Sequence, residues 1–174
     1  MTAEAQARDR EGADFTSLLQ FLNETPDKLA NFAAGLSDAE LQFQSLPEEF
    51  SVLENICHLR DLELQGYRPR ISRILAEANP ALADFDGARV AAGSSYNSEP
   101  PTQALQAFQT ARRENVATLR AATEAQLERE GTLQGVGSIS LRRLAELMRE
   151  HDEGHLADLR GLRRRIERCR DLTR

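Results

Sequence analysis

Apolar residues in this 174-residue chain recur at three- and four-residue steps through four long stretches, and no stretch alternates apolar with polar residues as a half-buried strand does. That pattern leads to helices packed on helices. The first stretch runs through Phe15, Leu18, Leu19 and Leu22 from a start near Asp14. Thr25-Pro26 then restarts or kinks it, with Thr25 as N-cap and Pro26 at the first helical position, and Gly35 ends it. Ser37-x-x-Glu40 caps a short turn, which Pro47 closes. Ser51-Val-Leu-Glu54 is a second capping box, opening a helix that carries Val52, Ile56, Leu59, Leu62, Tyr67, Ile71, Ile74 and Leu75, with a kink expected at Pro69. From Asn79 to Pro101 the chain is rich in Gly, Ser and Pro and reads as a long irregular loop, of the kind that covers a site. A third helix is expected from about Pro101 to Ala122, and a fourth from Ser138 to about Arg168 through Leu141, Leu144, Leu147 and Met148. The expected fold is all-α, a four-helix bundle with a long crossover between helices two and three. It forms one domain over residues 14–170 behind a flexible N-terminus, residues 1–13.

Several function classes drop out on composition. No apolar run approaches the ~20 residues of a membrane span, and Met1 to Gly12 lacks the basic start and apolar stretch of a secretory signal, so a cytoplasmic protein is expected. A net charge of -6 repels phosphate backbones, and the arginine-rich end, Arg160 to Arg170, suits a helix C-terminus better than a nucleic-acid patch. Cys57 and Cys169 are far apart and form neither a CxxC pair nor a disulfide framework. The expected partner is a small molecule, with no nucleic acid and no membrane; a homodimer is an open alternative.

The chemistry lies in the three histidines. His151 and His155 are four residues apart, so their rings stand about 6 Å apart along the helix axis and about 40° apart around it, on the stripe that continues Leu144 and Met148 toward Leu159, Leu162 and Ile166. Two neutral imidazoles on a core stripe need partners. His58 is on the second helix at the edge of an apolar arc centred near Ile56, and periodicity leaves its direction open. If the three rings converge, they leave one or more coordination positions free, as in catalytic rather than structural zinc sites. The alternative is three polar side chains satisfied by backbone or carboxylates. Glu54, Asp61, Asp152, Glu153 and Asp158 are candidates to orient the rings or act as a base, although a solvated face is expected for each taken singly. Cys57 is rotated about 100° from His58 and is expected to be a core thiol.

The run Phe50-Ser-Val-Leu-Glu-Asn-Ile-Cys-His58-Leu resembles the W-S-V-x-E-x-x-x-H-L segment of the DinB-like superfamily, and Leu144-Ala-Glu-Leu-Met-Arg-Glu-His151-Asp-Glu-Gly-His155-Leu resembles its H-D-x-x-H helix. Leu36-Ser-Asp-Ala-Glu-Leu41 and Ser138-Ile-Ser-Leu141 match in kind. The resemblance implies a four-helix bundle in which His58, His151 and His155 bind one divalent metal; three imidazoles suit zinc, nickel, copper or iron, zinc or nickel foremost. Phe50 stands where the family has tryptophan, a change expected to affect packing more than coordination. The superfamily includes thiol-dependent S-transferases and isomerases, so the resemblance implies a metal-dependent enzyme that uses a low-molecular-weight thiol against a small electrophile. Two alternatives are a metal-dependent hydrolase and a non-catalytic metal- or ligand-binding bundle.

Overall fold

The structure, a computed structural model, describes residues 3–44, 46 and 49–172, with the backbone alone for residues 3–11 and 13; the expected turn at Pro47 lies outside the described residues. Helix α1 spans Ala3–Ala33. It starts eleven residues before the apolar stripe does, so residues 3–13 are helical where a flexible segment was expected. It also runs unbroken through Pro26. Because Pro26 has no N–H, it leaves the carbonyl of Leu22 without its helical donor. A side chain from another helix takes that carbonyl, as described below. Gly35, at φ 76°, ends the segment in the left-handed region.

A short turn, α2 (Asp38–Leu41), leads to α3 (Val52–Asp61), whose capping box is complete: the Ser51 side chain accepts from Glu54 N, and the Glu54 carboxylate accepts from Ser51 N at 2.7 Å. The second helix then departs from regular geometry. A π-helical turn over Leu62–Tyr67 joins α3 to α4 (Arg68–Ala76), placed just before Pro69 where a kink was expected. The turn feeds Glu63 and Tyr67 into the core, both at 5% exposure or less.

The crossover is more ordered than its composition suggested. It holds strand β1 (Ala81–Leu82), helix α5 (Gly87–Gly93) and a 3-10 turn at Tyr96–Ser98. Ties to α3 hold it down: the Tyr96 hydroxyl donates to Asp61 Oδ2 at 2.8 Å, Ser51 Oγ donates to Asn97 Oδ1 at 2.7 Å, and Arg60 Nη2 donates to Glu99 at 2.9 Å. The third long helix, α6, spans Pro101–Ala121. A turn, α7 (Glu124–Leu127), and two strands, β2 (Glu130–Leu133) and β3 (Gly137–Ser140), lead into α8 (Leu141–Leu172).

A small sheet accompanies the helices at one corner. Its order is β1-β2-β3, parallel between the first two and antiparallel between the last two, with Gly131 opposite Ile139. Burial alternates along β2, but its inward positions are Gly131 and Leu133, so the sequence carries one large apolar side chain there and β1 only two residues. Ser138 belongs to β3, and α8 starts three residues later than expected. Arg129 anchors this corner, donating from Nε to Ile74 O and from Nη2 to Glu77 O, both at 2.7 Å. The molecule is otherwise the four-helix bundle that the periodicity predicts.

The bundle core is divided. One apolar cluster gathers Leu22, Leu62, Val116, Leu144 and Met148, and the other gathers Leu29, Ile56, Phe108, Leu159 and Leu162. Every long helix places buried or half-buried polar residues where the two clusters meet: Thr25 on α1, His58 and Asp61 on α3, Arg112 and Asn115 on α6, and His151, Asp152 and His155 on α8. A polar layer thus crosses the bundle at mid-height.

Candidate metal centre

His58 comes from α3, and His151 and His155 from consecutive turns of α8. The structure resolves the one direction that periodicity left open: His58 is turned inward and is 7% exposed, while the other two rings are half-buried. All three meet. Nε2 of His151 lies 3.4 Å from Nε2 of His58 and 3.2 Å from Nε2 of His155, and one nitrogen from each ring falls within 4.8 Å of the others. A tetrahedral ion with nitrogen ligands at about 2.0–2.1 Å holds those ligands about 3.3 Å apart. The spacing fits one such ion.

Protonation points the same way. The Asn55 amide NH2 donates to Ser51 O at 2.8 Å and to Phe50 O at 3.4 Å, which turns its Oδ1 toward His155. Oδ1 lies 2.6 Å from His155 Nδ1 and is an acceptor only, so Nδ1 carries the hydrogen and Nε2 presents a lone pair to the centre. Burial holds the rings neutral, pushing His58 down to about 4, His155 down to about 3 and His151 down as well. A hydrogen on His151 Nε2 could point squarely along only one of its two ring contacts, whereas an ion at the centre satisfies three lone pairs at once. Nδ1 of His58 and of His151 are buried and make no hydrogen bond to any of the described residues. The donor set therefore suits a divalent ion.

Asn55 is a residue that sequence reasoning missed; an orienting carboxylate was expected instead. The signal was present, because an asparagine one turn before His58 inside a buried arc needs a partner. Two of the five candidate carboxylates are not solvated as expected. Asp152 is fully buried and receives Arg112 in a bidentate pair, at 2.5 Å from Nη1 and 3.0 Å from Nη2. Asp61 is 7% exposed and receives Tyr96 Oη and Arg60 Nε, each at 2.8 Å. Glu54 is occupied in its capping box, Glu153 pairs with Arg149 at the surface, and Asp158 lines a cleft beside His155. None joins the nitrogen cluster.

The Arg112 guanidinium is the centre of the polar layer. Besides Asp152 it reaches Glu63 Oε1 at 2.9 Å, and Nη1 donates to Leu22 O at 3.2 Å, the carbonyl that Pro26 leaves free. Burial opposes its charge, but the Asp152 and Glu63 carboxylates outweigh that and hold it protonated. Burial pushes the Glu63 carboxyl up against the pull of Arg112, and Asn115 Nδ2 donates to Glu63 Oε2 at 2.7 Å. Cys57 is the core thiol expected, pushed up by burial to about 12 and so no thiolate ligand.

Two clefts reach the three rings, each touching different ones. One, of about 350 Å³, touches His155 and is bordered by Phe50, Asn55, Asp158 and an ion pair of Arg165 with Glu49 at 2.9 Å. The other, of about 280 Å³, touches His58 and His151 and lies between the π turn and the crossover. Phe50, standing for the tryptophan of the related motif, packs its ring 5.3 Å from that of His58, and Phe85 sits 6.2 Å away on the crossover. The arrangement can hold an ion on one protein face and admit a small molecule to the rest of its shell.

The model of the family described as the DinB superfamily matches residues 22–159. The fold is similar to the solved structure of YfiT from Bacillus subtilis, described as a probable metal-dependent hydrolase with an unusual four-helix bundle topology; the TM-score is 0.80 at 24% identity, over 88% of this chain and 87% of that chain. No curated protein matches.

Proposed function

This chain belongs to the DinB superfamily, and from that premise we propose that it is a metal-dependent enzyme whose His58, His151 and His155 hold one divalent ion, zinc or nickel, and which transfers a low-molecular-weight thiol to a small electrophile. The observation that carries this reading is the convergence of three ring nitrogens within 4.8 Å of one another, two of the spacings being 3.4 and 3.2 Å, with the nearby carboxylates Asp61 and Asp152 engaged elsewhere. The fourth position then falls to a molecule from a cleft, which is the pattern of catalytic sites.

When bound, the ion supplies Lewis acidity, lowering the pKa of a thiol or a water beside it. The chain's own residues do the rest. Asn55 fixes the His155 tautomer, the Arg112–Asp152 pair holds the turn of α8 that carries His151, and the crossover covers His58. Phe50 and Phe85 keep the His58 side apolar and exclude water. A second reading, a hydrolase in which water takes the thiol's place, is favoured by the description of YfiT.

Elemental analysis of protein purified without a histidine tag should find close to one ion per chain, and the His151→Ala/His155→Ala double variant should lack it. Turnover of a model electrophile with several thiols, with and without metal, separates the two readings. A metal-dependent rate that needs no thiol favours the hydrolase, and no metal-dependent rate under either condition leaves a binding bundle.

A further inference from the structure

The two clefts differ in charge, and the difference bears on what the site admits. Around the His58 cleft the lining is Leu62, Tyr67, Phe85 and Gly87, the rings of His58 and His151, and the single pair Arg70 and Asp84. Asp84 is the one carboxylate among these lining residues. Arg70 is 7% exposed. Its Nε and Nη2 donate to Ala83 O at 3.2 and 3.0 Å, and Nη1 makes no hydrogen bond to any of the described residues. Asp84 is a poor counter-ion, 3.7 Å from Nη2 with its side chain 64% exposed, a geometry in which water screens most of the attraction. A nearly buried guanidinium with an unused edge is a site for an anion. The His155 cleft is the reverse: Glu49 and Asp158 outnumber Arg165, which is already paired.

We propose that the His58 cleft binds the carboxylate of a small-molecule substrate or thiol on Arg70, so that its reactive end faces the ion held by the three histidines. One planar fork with a free Nη suits a carboxylate. The inference rests on the metal-enzyme reading above and adds the class of molecule to it. Arg70 acts here as an anion anchor. Its bonds to Ala83 hold the crossover and the guanidinium in one place, so the fork is positioned before the ligand arrives.

The test uses cobalt(II)-loaded full-length protein, whose visible absorption reports a thiol entering the ion's shell, titrated with 3-mercaptopropionate, 2-mercaptoethanol and cysteamine. 3-Mercaptopropionate should half-saturate at a concentration at least about 10-fold lower than either of the others, although its carboxylate makes its thiol the least acidic of the three. In the fraction of Arg70→Gln protein that carries cobalt, 3-mercaptopropionate should half-saturate no lower than 2-mercaptoethanol does, so the preference is abolished. Arg70→Lys, which keeps the charge and loses the fork, should retain part of it. Equal affinities in the wild type would overturn the anion anchor and leave the metal reading intact, as would a preference that survives in Arg70→Gln. The wild-type comparison decides this even if the variants fold poorly. Cobalt binding with no spectral response to any thiol would overturn the thiol-transferase reading, and this inference with it.

Discussion

Gly87→Ala should cost metal affinity without costing the fold. A Cβ at position 87 would sit 2.5 Å from Cε1 and 3.1 Å from Nδ1 of His58, where ordinary contact begins near 3.4 Å. The imidazole is rigid, so roughly 0.9 Å of separation must come from moving the ring or the crossover, against a coordination tolerance of about 0.2 Å. Loss of an orienting partner alone lowers metal affinity about 10–100-fold, and moving a ligand should cost at least as much. The backbone itself favours alanine: Gly87 opens α5, Asp86 caps it by accepting from Arg89 N at 2.9 Å, and alanine exceeds glycine in helix propensity by up to about 1 kcal/mol. Zinc titration against a chromogenic chelator should show weakening of about 100-fold, with the thermal midpoint of metal-free protein unchanged or raised. Gly93→Ala is the control, because the same helix there leaves open space around the added methyl. Wild-type zinc affinity in Gly87→Ala would refute the claim that the crossover backbone fixes His58.

Asn55→Ala should weaken zinc binding about 10–100-fold by releasing the His155 tautomer, measured by the same chelator competition. Arg112→Met leaves Asp152 buried without its partner and should lower stability by about 3–5 kcal/mol in urea unfolding; a change below about 1 kcal/mol would argue that the layer relaxes freely. The pH dependence follows from the depressed histidines. Their unfolded pKa lies near 6.5, while burial holds His58 at about 4 and His155 at about 3, so only the unfolded chain takes up protons between those limits. Stability of the metal-free protein should be flat above pH 7 and fall as pH drops from about 6.5 toward 4, and the His151→Ala/His155→Ala variant should show a shallower fall in urea midpoints over that range.

The four long helices and both ligand-bearing segments were readable because each rests on a local signal: apolar residues at helical spacing, two capping boxes, and an i, i+4 histidine pair. His58 was readable only by resemblance. Its inward turn depends on where α8 packs, and one helix's periodicity cannot encode that. The sheet went unseen because Glu130–Leu133 holds one large apolar side chain, and its pairing partner at Ala81–Leu82 is two residues long. Pro26 and Pro69 looked like breaks because a proline is judged locally. In the fold, the carbonyl that Pro26 frees is taken by Arg112 from α6, and a π turn absorbs the irregularity before Pro69.

Those two irregularities bear on the site itself. A centre shared by α3 and α8 requires two helices to keep their relative height and rotation to a few tenths of an ångström, and apolar packing alone fixes neither well, since leucines can exchange one groove for the next. Consecutive residues solve this on α8. His151 faces α3, while Asp152, turned about 100° from it, is held by Arg112 on α6, so any slip that would withdraw the imidazole must also break a buried bidentate ion pair. The same guanidinium reaches Glu63 on the π turn and the Leu22 carbonyl on α1, which ties all four long helices at the height of the histidines. Replacing Arg112 should therefore lower zinc affinity as well as stability, although no atom of Arg112 belongs to the nitrogen cluster. An Arg112→Met variant with reduced stability and wild-type zinc affinity would show that the rings find one another without the layer beneath them.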